Sequence, residues 1–266
     1  MGWQSAGSGL ELGEDVPMTV RWLTAFLDTP RGSQSDAVVE FWQAVTASRL
    51  STRRGSSGEF ATLVPPDGDA YLRLQDLDDG PAGCHLDLHV DDVRDDLRRC
   101  RAAGAMLVGD FGSLVVLKSP GGLGFCLVAH RGERVRPRPN MWPGGHHSVV
   151  DQLCLDVARQ EFEAEAAFWA VLTDWPRRHG SLPEFDHLAR PNNNPLRLLL
   201  QRLGDDGLSR SVGAHLDLAC DDVDAEVTRH QALGADYAHM GKGWVTLRDP
   251  AGREYCVTGR DPFTGA

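Results

Sequence analysis

One tetrapeptide occurs twice and fixes most of what this chain can become. His85-Leu86-Asp87-Leu88 runs into Asp91-Asp92-Val93, and His215-Leu216-Asp217-Leu218 runs into Asp221-Asp222-Val223, 130 residues later. Polar and aliphatic residues alternate, which places His and Asp on one face of a strand and the leucines on the other. Other landmarks keep the same offset: Gly104-Ala105 with Gly234-Ala235, and Ser119-Pro120-Gly121-Gly122 with Asp249-Pro250-Ala251-Gly252. A constant offset across separate landmarks marks a duplicated domain.

Periodicity within the first copy predicts a strand over 20–28 and a helix from Asp36 to about Ala47, with Phe41-Trp42 on its apolar face. Three short strands follow near 48–54, 59–64 and 70–75. A second unit then runs through strand 85–90, helix 92–103, a short strand near Met106, and strands 114–118 and 124–129. The second copy repeats the plan from strand 149–157 and a helix over 161–172, where Phe168-Trp169 stands for Phe41-Trp42. The expected fold class is α+β: four β-α-β-β-β modules, two per half. Residues 1–17 read as a loose Gly/Ser-rich leader and 18–130 as the first domain. The Arg/Pro/Gly-rich stretch 131–146 reads as a solvated linker, 147–260 as the second domain, and 261–266 as a tail.

Composition narrows the function. A net charge of −11 argues against a nucleic-acid partner and mildly favours cationic ligands. No apolar run approaches the ~20 residues of a membrane span, and the N-terminus lacks the basic start and apolar centre of a secretory signal. The six cysteines contain no C-x-x-C pair and sit in apolar strand patterns. They read as reduced core thiols of a cytoplasmic protein.

Ala167-Phe168-Trp169, Leu199-Leu200-Gln201, the His215 to Val223 run, Leu233-Gly234-Ala235 and the stretch from Trp244 to Cys256 resemble the vicinal-oxygen-chelate superfamily. This is the glyoxalase, bleomycin-resistance and extradiol-dioxygenase group, and the resemblance covers about 18–130 and 147–259. It implies paired modules whose curved mixed sheets form clefts, with helices outside. It also implies a metal, when present, on the first and last strands of each module. Carried onto this sequence, the ligand positions are Gln152, Gln201, His215 and Glu254. This oxygen-rich set suits an octahedral Ni, Co, Mn, Fe or Mg ion. His215 and Glu254 are the candidate catalytic pair, with Glu254 alternatively a general base beside a weak or absent metal. The alternation agrees: Leu153, Leu155, Val157, Leu216 and Leu218 oppose Gln152, Cys154, His215, Asp217, Glu254 and Cys256. His187, on a neighbouring strand, either lines the cleft or faces solvent.

In the first half the matching positions are Trp22, Gln75, His85 and Gly124. Trp22 and Gly124 offer no ligand, so no metal is expected there. His85, Asp87 and His89 share a face, with Tyr71 and Arg73 nearby, and read as the wall of a ligand pocket floored by Trp22 and Phe26. Asp87 and Asp217 survive in both halves, which points to a structural job such as holding the His. Two functions stay open. One is a metal-dependent lyase, isomerase or dioxygenase of the glyoxalase type acting on a small molecule. The other is a metal-free binder of the bleomycin-resistance type, sequestering a cationic aromatic ligand. The halves are expected to pair as an internal pseudo-dimer, with a further homodimer left open.

Overall fold

The computed structural model describes residues 20–32, 35–204 and 211–265; the expected leader lies outside them. The first half contains β1 (Trp22–Pro30), α1 (Ser35–Thr46), β2 (Arg49–Leu50), β3 (Phe60–Val64) and β4 (Leu72–Leu77). It continues with β5 (Gly83–Val90), α2 (Val93–Ala102), β6 (Met106–Asp110), β7 (Leu114–Lys118) and β8 (Gly124–Ala129). After β9 (Asn140–Met141), the second half runs β10 (His147–Val157), α3 (Phe162–Thr173), β11 (Arg177–His179), β12 (Phe185–Leu188) and β13 (Arg197–Arg202). It closes with β14 (Gly213–Cys220), α4 (Val223–Ala232), β15 (Asp236–Met240), β16 (Trp244–Arg248) and β17 (Glu254–Thr258). All four expected modules are present, in an α+β fold.

Each half is one open mixed sheet. The orders are β2-β3-β4-β1-β5-β8-β7-β6 and β11-β12-β13-β10-β14-β17-β16-β15, with β9 added beside β10. At the centre of each sheet the first strands of its two modules pair antiparallel, Phe26 opposite His85 and Cys154 opposite His215. The repeated Asp-Asp pairs start helices as expected. Asp92 accepts from the amides of Arg94 and Asp95, and Asp222 from that of Ala225, offsetting the positive end of the helix dipole.

The leucines opposite the His-Asp face enter a core that is continuous across both halves. The helices join it reciprocally. Phe41 and Trp42 of α1 pack on Tyr255 of β17, and the Trp42 indole N–H donates to Asp249 (2.9 Å). Phe168 and Trp169 of α3 pack on Phe125 of β8. Glu165 takes the Trp169 indole N–H and the Gly121 amide, both at 2.8 Å. A Cβ on Gly121 would lie 2.4 Å from a Val212 methyl and 2.9 Å from the Glu165 carboxylate, so any larger residue would have to displace them. The turn residue Asp249 thus has a second role that turn chemistry alone does not reveal.

The 131–146 stretch is tied down rather than solvated throughout. Asp69 accepts from the amides of Arg134 and Val135, and Asp67 from Arg138. The Arg229 guanidinium lies 3.5 Å over the Trp142 ring. All six cysteines are free and buried. Among the described residues no helix is long and apolar enough to cross a membrane.

Candidate functional site

The site is built where β10 and β14 pair, and a bulge sets its register. The pairing shifts between Val150 and Gln152, leaving Asp151 as an extra residue. Thr24 and Gln152 therefore stand in equivalent places, opposite Asp87 and Asp217 respectively. This corrects the match of Gln152 to Trp22: Trp22 is opposite His89 and corresponds to Val149, opposite Ala219. Asp151 is fully buried and held by Arg260 at 2.8 and 2.5 Å.

His215 is the centre. Its Nδ1 lies 2.9 Å from Asp156 Oδ2, and its Nε2 lies 3.4 Å from Asp217 Oδ1 and 3.7 Å from the Cys256 sulfur. Burial disfavours the imidazolium, but Cys154, Asp156 and Asp217 outweigh it, so the His215 pKa is raised well above the ordinary imidazole range. Asp217 Oδ1 is buried without a hydrogen-bond partner, while Oδ2 takes the Gln152 amide. The other end of Gln152 accepts from Arg197. Ligand-type atoms of His215, Asp217 and Cys256 lie within 4.8 Å of one another, as do those of Cys154, Asp156 and His215.

These groups open onto a cavity of about 410 Å³ lined by strands β10, β12, β13, β14, β16 and β17 of one sheet. Gln152, Gln201, His187, His215 and Asp217 all line it, as do Arg197, Arg260, Lys242 and Trp244. Trp244 meets Phe185 edge to face at 5.5 Å, forming an aromatic wall. His187 thus takes the cleft-lining alternative. Burial, then Arg197, lowers its pKa.

Glu254 does not join them. It is exposed, pairs with Arg248 at 2.7 Å, and is not among the lining residues. With Gln152 engaged at both ends as well, the quartet Gln152, Gln201, His215 and Glu254 does not fit a metal as arranged. A different donor set, one step deeper along the same strands, does. The ligand atoms of His215, Asp217 and Cys256 lie within 4.8 Å of one another, Asp217 Oδ1 makes no hydrogen bond, and Asp156 orients the imidazole from behind as an outer partner of a metal-bound His would.

In the first half the same frame recurs: Asp28 lies 2.7 Å from His85 Nδ1, and His85, Asp87 and Cys126 form a matching group. Here Phe26 stacks on His85 (centroids 4.4 Å, 13°), and Arg73 lies 5.6 Å from the Phe26 centroid and 3.5 Å from Asp87. The expected aromatic floor is not open. Trp22 is fully buried and donates to the Ala70 carbonyl (3.2 Å). Tyr71 is likewise no pocket residue; its hydroxyl donates to the Val150 carbonyl in the other half (2.7 Å). His89 Nε2 meets Thr24 at 2.9 Å, and burial takes its pKa down to about 4. Gln75 is half-buried beside Asp28 on β4.

Sequence reasoning missed Asp28, Asp156 and Arg197. The two aspartates occupy equivalent positions on β1 and β10, but 128 residues apart, so a search at the 130-residue offset passes over them.

No curated protein matches the sequence. Solved structures match the fold. A mutant of 4-hydroxymandelate synthase from Streptomyces coelicolor is 14% identical at a TM-score of 0.57, covering 94% of this chain and 95% of that one. A 2,2',3-trihydroxybiphenyl 1,2-dioxygenase from Sphingomonas wittichii is 18% identical at a TM-score of 0.56, covering 90% of each. A xylose isomerase-like TIM barrel/4-hydroxyphenylpyruvate dioxygenase fusion protein is 14% identical at 0.57; the match covers 92% of this chain and half of the fusion. The family model described as "Glyoxalase-like domain" matches residues 25–128 and again 152–258. The chain therefore belongs to the glyoxalase-like domain family, within the vicinal-oxygen-chelate superfamily.

Proposed function

We propose that the second-half cavity is the working site and takes a small, partly aromatic molecule. In this reading a divalent ion is held by His215, Asp217 and Cys256, and Glu254 has no role in holding it. The observation that carries the reading is that the ligand atoms of His215, Asp217 and Cys256 lie within 4.8 Å of one another, the Asp217 oxygen making no hydrogen bond, beside an open cavity of about 410 Å³. With a thiol in place of the two amides, this imidazole, carboxylate and thiol set is softer than the quartet, so Fe, Co, Ni or Zn suits it and Mg does not. When bound, the ion supplies a Lewis acid for lyase, isomerase or oxygenase chemistry. The chain's own residues do the rest. Asp156 fixes the imidazole tautomer through Nδ1, Gln152 holds Asp217, and Trp244 with Phe185 excludes water from one side. The unpaired thiols and the fold suit a cytoplasmic enzyme.

Cobalt(II) tests this directly. Added to chelator-treated Cys126→Ser protein, which lacks the parallel first-half thiol, it should produce a near-ultraviolet thiolate charge-transfer band. The further substitution Cys256→Ser should abolish that band, and Glu254→Gln should keep it. Cobalt binding with no thiolate band overturns the assignment. The second reading, a metal-free binder, is favoured by the Glu254–Arg248 pair and the doubly engaged Gln152. It prevails if excess cobalt, nickel and manganese leave the melting temperature unchanged.

A further inference from the structure

Beside the main cavity lies a second chamber of about 470 Å³, and His187, Arg197 and Gly265 line both. Arg136, Arg190 and Arg197 face this chamber. Behind them the buried carboxylate is Asp151, and it is already committed: both its oxygens pair with Arg260, at 2.8 and 2.5 Å, and Arg190 Nη1 is 3.9 Å from Oδ2. Arg190 also donates to the Asp151 carbonyl (2.5 Å). Arg197 reaches the Gln152 amide oxygen and the Gly265 carbonyl, both neutral. Among the described residues four guanidiniums thus gather about one carboxylate, with Asp217 next nearest, beyond Gln152.

Arg136 is the sharper observation. Its Nη2 is buried with no hydrogen-bond partner, and among the described residues the guanidinium has no ion pair. A buried unpaired cationic donor is costly unless something outside the chain satisfies it. Burial foremost, with the neighbouring guanidiniums adding to it, brings Arg190 and Arg197 down to about 10. Both remain cations at neutral pH. Among the described residues the excess of guanidinium over carboxylate exceeds what one monocarboxylate would neutralise.

We propose that this chamber receives a dianionic oxyanion, a phosphate monoester, carried by the ligand whose body lies in the main cavity. The proposal rests on the small-molecule reading above and names the ligand's second feature. It also reverses the cationic ligand suggested by net charge, because the field inside a cleft is set by the groups lining it and not by the chain total. Planar guanidiniums suit the task, since each can present two parallel N–H donors to phosphoryl oxygens.

The test is calorimetric titration with phenyl phosphate, inorganic phosphate, benzoate and phenol, on the wild type and on Arg136→Met. Phenyl phosphate should bind at least ~10-fold more tightly than phenol, and Arg136→Met should weaken it by ~10-fold or more, the scale of one charge-assisted contact. Arg136 has no partner to lose, so the unliganded variant should melt no lower than wild type, and phenol binding should not change. Inorganic phosphate alone should bind weakly and lose its heat in the variant. Phenyl phosphate binding no tighter than phenol or benzoate overturns the proposal, as does an Arg136→Met protein that binds it equally well. Phenol binding without a phosphate advantage leaves the main cavity's role intact and removes only the anion chamber. If no compound binds, the chamber falls, and the cobalt titration judges the main site separately.

Discussion

The two clefts carry the same polar frame and differ in what fills it. Asp28, His85, Asp87 and Cys126 in the first half answer to Asp156, His215, Asp217 and Cys256 in the second. Opposite the His, however, the first half places Phe26 and the second Cys154. The phenyl ring covers His85 and takes Arg73 over its face. The thiol covers far less, and a ligand-sized cavity remains. Phe26 with Arg73 in the first half, against Cys154 with Leu199 in the second, are the cleft positions at which the two copies differ most in bulk. The outer helices show the same divergence. Glu226 on α4 sits among Ser148, His146, Arg229 and His230, whereas its counterpart Asp96 on α2 has Arg99 at 3.7 Å.

The largest expected effect sharpens that helix contrast. Burial would raise the Glu226 pKa, but Arg229, His230 and Ser148 hold it far below the usual carboxylate range. Glu226→Gln leaves those buried partners uncompensated and should cost about 3–5 kcal/mol at pH 7 in urea unfolding. Because the folded pKa is depressed, this contribution is present above the unfolded value of about 4.5 and fades as pH falls below it. A loss under about 1 kcal/mol at pH 7 would break the contrast.

Next comes the exchange of cleft residues. Phe26→Cys should open the first half at a cost of about 2–4 kcal/mol, as other buried ring deletions do. Cys154→Phe should cost less, about 1–3 kcal/mol, since its ring enters the cavity, and should abolish ligand heat in calorimetry. Undiminished binding by Cys154→Phe would place the ligand elsewhere.

The smallest effect has the opposite sign. Burial raises the Asp96 pKa to about 6, and Arg99 offsets this only in part. A raised carboxylate pKa means the charged form is penalised above about pH 6, and the penalty vanishes below the unfolded value of 3.8. Asp96→Asn should therefore gain about 1–2 kcal/mol at pH 8, and the gain should shrink through pH 4 and be gone by about pH 3. A gain that ignores pH would assign it to helix propensity instead.

Most of the fold was legible because alternation and the repeat are local signals. His215, Asp217, Gln152 and Cys154 could be assigned to one face from period two alone, Gln201 entered through the resemblance, and all of them line the cavity. Glu254 obeyed the same alternation yet sits at the strand's end, where Arg248, its antiparallel partner across the turn, takes the carboxylate. Alternation assigns a face but not a depth along it. The bulge at Asp151 escaped notice because one added residue leaves the apolar pattern on either side intact while shifting which residues are opposed.

The sequence by itself determined the duplication, the module order, the helix starts and the inward face of every central strand, since these depend on residues near one another in the chain. The tertiary structure alone decided which half keeps an open hollow, which acid stands behind His215, and that arginines from the linker and the second sheet share one chamber. Those outcomes depend on side-chain volume and charge meeting across separations such as 57, 59 and 109 residues of chain, where no short-range period carries the information.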